Sequence, residues 1–220
     1  GNASSGSVRP MTAVSGVDDQ AFLVDRFEEL LLRAVAQDRP FLALLFFHGV
    51  HIPYIATPEM RAKYAARGMN ENQQDYWGTI EQIDGAVGRV RSLLRQHQRA
   101  DNTWVSIQAD NGPEVSPQGG QGTAEFPNPG RTNGLRGRKR DATEGGTREI
   151  GLIEYPPAVK ANRVETQFPV ITMDVMATVL DVLGMDSFEG RPLDGMSLLP
   201  ILRGAWHNQH VLVLFAHRLS

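Results

Sequence analysis

Thr103-Trp104-Val105-Ser106-Ile107-Gln108-Ala109 runs directly into Asp110-Asn111-Gly112-Pro113-Glu114. The first seven residues have the apolar, β-branched character of a strand, and Gly-Pro stops it just after an adjacent carboxylate and carboxamide. Two hard oxygen donors at the C-terminal edge of such a strand stand where open α/β sheets bind ligands, and they suit a hard cation. The same five residues are also ordinary turn chemistry, because Asp-Asn and Asn-Gly favour turns. The surrounding sequence has to decide between the two.

Upstream, Phe22, Leu23, Phe27, Leu30, Leu31 and Ala34 recur at helical spacing behind Asp18-Asp19, which predicts a capped helix. Pro40 then opens Phe41-Leu42-Ala43-Leu44-Leu45-Phe46-Phe47, a continuous apolar run expected as a strand buried on both faces, ending at His48-Gly49-Val50-His51-Ile52-Pro53. A second amphipathic helix is predicted from Trp77, Ile80, Ile83, Asp84, Val87, Val90, Leu93 and Leu94, and it leads into the strand at 104–109. Residues 112–148, rich in Gly, Pro, Thr and Arg, read as a long loop of the length that carries function or disorder.

Beyond the loop, residues 150–155 restore a short strand, Ile171 to Leu183 give a helix ending at Gly184, and residues 211–216 look like a last strand. Alternation of helix and strand predicts an α/β chain with a largely parallel sheet flanked by helices. Residues 1–17 are expected as a flexible segment, 18–204 as the domain, and 205–220 as the start of a further subdomain.

The 220 residues are 41% hydrophobic, enough for one α/β core. A net charge of -3 and a pI near 6.1 give no global reason to expect nucleic acid or an anionic membrane surface as partner. No apolar run reaches the ~20 residues of a membrane span. There is no cysteine, which excludes disulfides, thiolate metal sites and a cysteine nucleophile within these residues.

Four segments fall at strand ends or in the loop: His48 with His51, Asp110 with Asn111, Lys139, and Glu144-Gly145-Gly146-Thr147-Arg148-Glu149. Carboxylate and carboxamide oxygens suit a hard divalent cation, while an ammonium and an imidazole suit an anionic tetrahedral ester whose leaving oxygen gathers charge. A sulfate or phosphate ester is the implied substrate. Taken singly, each segment has a plainer reading. The histidines suit structural or surface positions, Arg131, Arg136, Arg138, Lys139 and Arg140 a solvated basic loop or a nucleic-acid patch, and Glu144-Gly145-Gly146 a turn.

In their order and context these segments, with the closing phrase Arg191-Pro192-Leu193-Asp194-Gly195-Met196-Ser197-Leu198-Leu199-Pro200, form a pattern that resembles the sulfatases of the alkaline phosphatase superfamily. The likeness runs from about residue 18 to 204 and is strongest to arylsulfatases and N-acetylhexosamine-sulfate sulfatases. It implies an alkaline phosphatase-like fold and hydrolysis of sulfate esters in a sulfated small molecule or sugar. By that resemblance Asp110 and Asn111 match the later pair of ligands to the family's calcium. Lys139, five positions before Glu144, matches the lysine that grips the sulfate, and His51 matches the histidine beside the leaving oxygen. His48 matches nothing catalytic, and the Glu144–Glu149 stretch matches a structural loop.

The family's formylglycine nucleophile, made in a Cys/Ser-x-Pro-x-Arg motif, has no counterpart here, nor do the first calcium carboxylates or a Lys-x-His segment. Asp18-Asp19 does not replace those carboxylates, since no strand precedes it. The sequence is therefore expected to be the second, C-terminal half of a sulfatase catalytic domain over 18–204, truncated near the start of a smaller C-terminal subdomain at 205–220, with an incomplete sheet and no activity alone. Ile150 and Tyr155 stand where the family often has Pro and Trp, a difference expected to affect packing more than chemistry. A phosphodiesterase or phosphonate hydrolase of the same superfamily, or a non-catalytic sulfate-binding relative, remain alternatives. The family's locations, lysosomal, secreted or periplasmic, leave localisation open, and oligomeric state is not legible.

Overall fold

The computed structural model describes residues 19–114, 130–165, 168–185 and 192–204. The segments expected at 1–17 and 205–220, and the strand expected at 211–216, lie outside those residues. Two compact units emerge, one of Gly1–Ala100 with Gln108–Gly151 and one of Asp101–Ile107 with Leu152–Ser220.

In the first unit, helix α1 (Asp19–Ala36) buries Gln20, Val24, Phe27, Leu31 and Ala34, one stripe at 3–4 residue spacing, against α3 (Glu71–Gln96). Arg89 of α3 reaches Asp25 at 2.6 Å and Glu28 at 2.7 Å on α1, an exposed clasp worth little beside the apolar stripe. Asp19 stands in the first turn of α1, and its carboxylate accepts the backbone N–H of His48 at 3.0 Å. The acidic residue that reads as a helix cap therefore also anchors the chain entering the His48–His51 segment.

Helix α2 (Pro58–Ala65) was not foreseen, because eight residues with one buried side chain, Tyr64, carry little periodic signal. It starts at Thr57, whose hydroxyl accepts the N–H of Met60, with Pro58 in the first turn. Helix α3 opens on a reciprocal capping box between Asn70 and Gln73. It packs on α2 across the Tyr64–Glu81 hydrogen bond and the Lys63–Glu81 ion pair.

The apolar run at 41–47 departs from expectation. It is extended but forms no strand, and burial alternates: Leu42, Leu44 and Phe46 are 75%, 71% and 81% exposed while Phe41, Ala43, Leu45 and Phe47 are partly covered. A period of two is the signature of an extended chain with one covered face. Burial on both faces is not achieved among the described residues. Phe41 meets Phe27 edge to face at 6.1 Å, which accounts for part of the covered side.

One two-stranded sheet is present among the described residues, β1 (Val105–Gln108) beside β2 (Gly151–Glu154). The pair is antiparallel, whereas the α/β pattern predicts a largely parallel sheet, of which the described residues hold no parallel pair. Between them the expected loop holds a single helical turn, α4 (Glu144–Thr147), where the sequence suggested a turn or structural loop.

The second unit is organised on α5 (Met173–Leu183), which ends at Gly184 in the left-handed conformation, φ 63°, as the sequence predicts. The closing phrase docks along it. The Asp174 carboxylate accepts the N–H groups of Ile171 and Met196, both at 2.9 Å, and the Thr178 hydroxyl accepts that of Leu198 at 2.9 Å. A Cβ on Gly195 would overlap the Met173 carbonyl, so this position takes only glycine. Leu198, Leu199 and Ile201 are buried where the phrase runs into α6 (Leu199–Leu202), whose last carbonyls accept from the Arg163 guanidinium. Tyr155 packs against Trp104, with ring centroids 5.6 Å apart.

Candidate functional site

Every residue singled out from the sequence for chemistry lies in the first unit. His51 follows a short turn closed by its own N–H to the His48 carbonyl at 2.8 Å, and the two rings lie 5.2 Å apart. Gly49 makes this turn possible, because a Cβ there would come within 2.5 Å of Thr79 and 2.6 Å of Gln20 on α3 and α1. His51 Nδ1 stands 2.6 Å from the Ile52 carbonyl oxygen. A carbonyl only accepts, so Nδ1 carries a proton and Nε2 is the nitrogen offered to solvent.

The chain after His51 is held firmly. Tyr54 packs edge to face on Tyr76 at 5.1 Å, and the backbone N–H groups of Ala56 and Thr57 donate to Asp75 at 3.2 Å and to Gln82 at 3.0 Å. Tyr54's hydroxyl is pushed up from 10.0 to about 12, chiefly by burial, then by Tyr76, then by the negative charge of Glu114. The His51 segment thus lies within electrostatic reach of the residue that ends the Asp110–Glu114 stretch.

Asp110 is exposed at the end of β1, and Asn111 beside it is half-buried. The Asn111 amide nitrogen donates to the Gly112 carbonyl at 3.0 Å, which leaves its side-chain oxygen directed elsewhere. Glu149 has its carboxyl pushed up by burial first and by Asp110 second, so two carboxyls share this corner. Crowded negative charge beside a carboxamide oxygen fits a hard cation, which would relieve it. Such a cation takes 6–8 oxygens. Among the described residues no three histidine, aspartate or glutamate side chains form a metal cluster, so the residues here fit as part of a shell only.

Lys139 is brought to the same corner by backbone. Its N–H donates to the Pro113 carbonyl at 3.2 Å, that of Gly112 to Gly146 at 3.0 Å, and that of Gly145 to Arg136 at 2.7 Å. A Cβ on Gly112 would overlap the Gly145 carbonyl, one on Gly145 that of Gly137, and one on Gly146 that of Asp141. The glycines allow main chain to touch main chain, and this joins the loop at 136–146 to residues 112–113. The Glu144-Gly145-Gly146 stretch is therefore a structural tie.

Glu114 was quoted in the motif but given no role by the sequence. It is buried, 5% exposed overall, and its carboxylate meets Arg140 at 2.6 Å and Lys139 at 3.6 Å. The signal available was charge balance: a loop with Arg131, Arg136, Arg138, Lys139 and Arg140 close together calls for an acidic partner. Arg131 and Arg138 line an open cleft of about 420 Å³ with Thr132 and Asn133.

Comparisons with known proteins bear on this arrangement. The family profile described as Sulfatase matches residues 4–185. Steryl-sulfatase of Rattus norvegicus is 34% identical over 175 residues, 79% of this chain and 28% of that protein. N-acetylgalactosamine-6-sulfatase of Canis lupus familiaris is 31% identical over 179 residues, 80% of this chain and 31% of that one. The chain thus spans less than a third of the length of these relatives. Among solved structures, Ps i-CgsB superposes with a TM-score of 0.73 at 24% identity, over 84% of this chain and 38% of its own. The PsFucS1 sulfatase from Pseudoalteromonas sp. gives 0.67 at 22% identity, over 89% and 36%. These two likenesses speak to the fold.

Proposed function

The chain belongs to the sulfatase family, and from that premise we propose that it forms part of a calcium-dependent hydrolase of sulfate esters. Asp110 and Asn111 are two of the cation's ligands, Lys139 binds the sulfate oxygens, and His51 serves the leaving oxygen. The observation that carries this reading is the backbone tie from Lys139 to Pro113, which brings a cation two residues from the Asp110–Asn111 pair.

When bound, a calcium ion held by Asp110 and Asn111 would supply positive charge that offsets the negative charge of the sulfate oxygens, so that an incoming nucleophile would meet less repulsion. Lys139 offers a compact point charge with rotatable donors, which can meet sulfate oxygens without the fork geometry arginine demands. His51 holds a proton on Nδ1 against Ile52, so it donates to a departing ester oxygen from Nε2, in the imidazolium form. The Glu149 carboxyl, pushed up by burial and then by Asp110, is a second acidic group beside Asp110 whose negative charge a bound cation would favour. The nucleophile is no residue of this chain, which has no cysteine and no Ser-x-Pro-x-Arg motif. We assign it, with the remaining calcium ligands, to other parts of the complete enzyme, whose substrate is a sulfated small molecule or sugar.

Lys139→Ala in the complete enzyme is the direct test. Hydrolysis of an aryl sulfate should fall by about 10²-fold or more, far out of proportion to the loss of stability, because Arg140 still pairs the Glu114 carboxylate. An undiminished rate would remove Lys139 from the site and with it the reading.

A further inference from the structure

Glu114 has a stronger claim on function than its silence in the sequence suggests. Its side chain is 3% exposed, and burying an isolated carboxylate costs several kcal/mol, so it must keep cationic partners. Two cations that meet it among the described residues are held differently. Arg140, 56% exposed, makes a 2.6 Å charge-assisted hydrogen bond to Oε1. Lys139, only 19% exposed, stands 3.6 Å from Oε2, beyond hydrogen-bond length but well inside ion-pair range.

This division of labour has a chemical consequence. The arginine takes the strong bond at the surface, and the lysine is drawn inward by charge without its N–H donors being consumed by the carboxylate. Two cations and one anion leave the trio with one net positive charge, so the lysine's attraction for an anion is not cancelled. Glu114 is three residues beyond Asn111, and Lys139's own N–H is bonded to the residue just before Glu114. The carboxylate therefore fixes the far end of the lysine side chain while the Pro113 carbonyl fixes its near end.

We propose that Glu114 is a positioning residue that acts through Lys139, holding the ammonium in place for an anionic ester while Arg140 keeps the carboxylate from capturing it. The inference rests on Lys139 binding the sulfate group. In the complete enzyme, Glu114→Gln should lower kcat/KM for an aryl sulfate about tenfold, as loss of a supporting partner does. In a Lys139→Ala background the same change should have less than about a twofold effect, because the group it positions is gone. Equal losses in the two backgrounds, or no loss in the first, overturn the proposal. Should Glu114→Gln fail to yield folded enzyme, Arg140→Gln at the exposed partner runs the same cycle: a loss in the parent and none beside Lys139→Ala supports it, and additive losses or none refute it. Full activity of Lys139→Ala alone would instead show that the sulfate assignment has failed.

Discussion

Glu114 in the first unit and Asp174 in the second are both buried carboxylates, 5% and 4% exposed, yet they are satisfied in opposite ways. Asp174 accepts two backbone N–H groups, from Ile171 and Met196, so its partners are main chain fixed by the fold. Glu114 faces the tips of two long cationic side chains, Lys139 and Arg140. A carboxylate bonded to main chain closes a piece of structure, and one that faces side-chain cations leaves charge available to something else. The difference teaches which buried charge belongs to architecture and which to chemistry.

Variants can break that comparison. Lys139→Ala in the complete enzyme should show the largest effect, a loss of about 10²-fold or more in aryl sulfate turnover with only a modest fall in the denaturant midpoint, since Arg140 still pairs Glu114. Asp174→Ala should do the reverse: about 3 kcal/mol of stability lost, because two buried N–H groups lose a charged acceptor, while the molecules that remain folded turn over normally. Urea titration followed by activity per folded molecule separates the two. If both variants lost rate and stability together, the distinction between the carboxylates would collapse.

Gly112→Ala should be intermediate, destabilising by about 2 kcal/mol through overlap with the Gly145 carbonyl. Because it loosens the tie that carries Lys139, the rate should fall with it, a mixed signature that neither Lys139→Ala nor Asp174→Ala gives.

The smallest effect is spectroscopic. Tyr54's hydroxyl is raised to about 12 and Tyr76's is raised as well, both chiefly by burial. The folded state therefore holds these protons more tightly than the unfolded chain. Their contribution to stability is complete below pH 10 and is lost as pH climbs through the folded value of Tyr54 near 12. Phenolate absorbance should rise late for these two rings, and Glu114→Gln should bring Tyr54's ionisation to lower pH by removing the nearby negative charge. An unmoved titration would place Glu114 out of Tyr54's reach.

The sequence was most readable where periodicity was strong. The helix through Leu93 and Leu94, the stop at Gly184 and the short strands before Asp110 and after Arg148 all stand close to where the pattern puts them. The run at 41–47 misled, since a solid block of apolar residues says nothing about how many of its faces are covered. In the site, residue types and order pointed to Asp110, Asn111, Lys139 and His51. Glu114 and Glu149 stayed hidden because their importance comes from neighbours 25 and 39 positions away in sequence, Lys139 and Asp110. The glycines at 145 and 146 were recognised as a loop, but what they do depends on a carbonyl approach no linear pattern encodes.

The backbone tie among Gly112, Lys139, Gly145 and Gly146 has one more consequence. The N–H groups of Gly112, Lys139 and Gly145 belong to neither strand of the sheet, and by secondary structure alone they would trade hydrogen with solvent quickly. Their acceptors are the carbonyls of Gly146, Pro113 and Arg136, so the three bonds bind the same two stretches of chain together. Deuterium uptake at these three amides should be slow and concerted, the behaviour of a cooperative unit rather than of a loop.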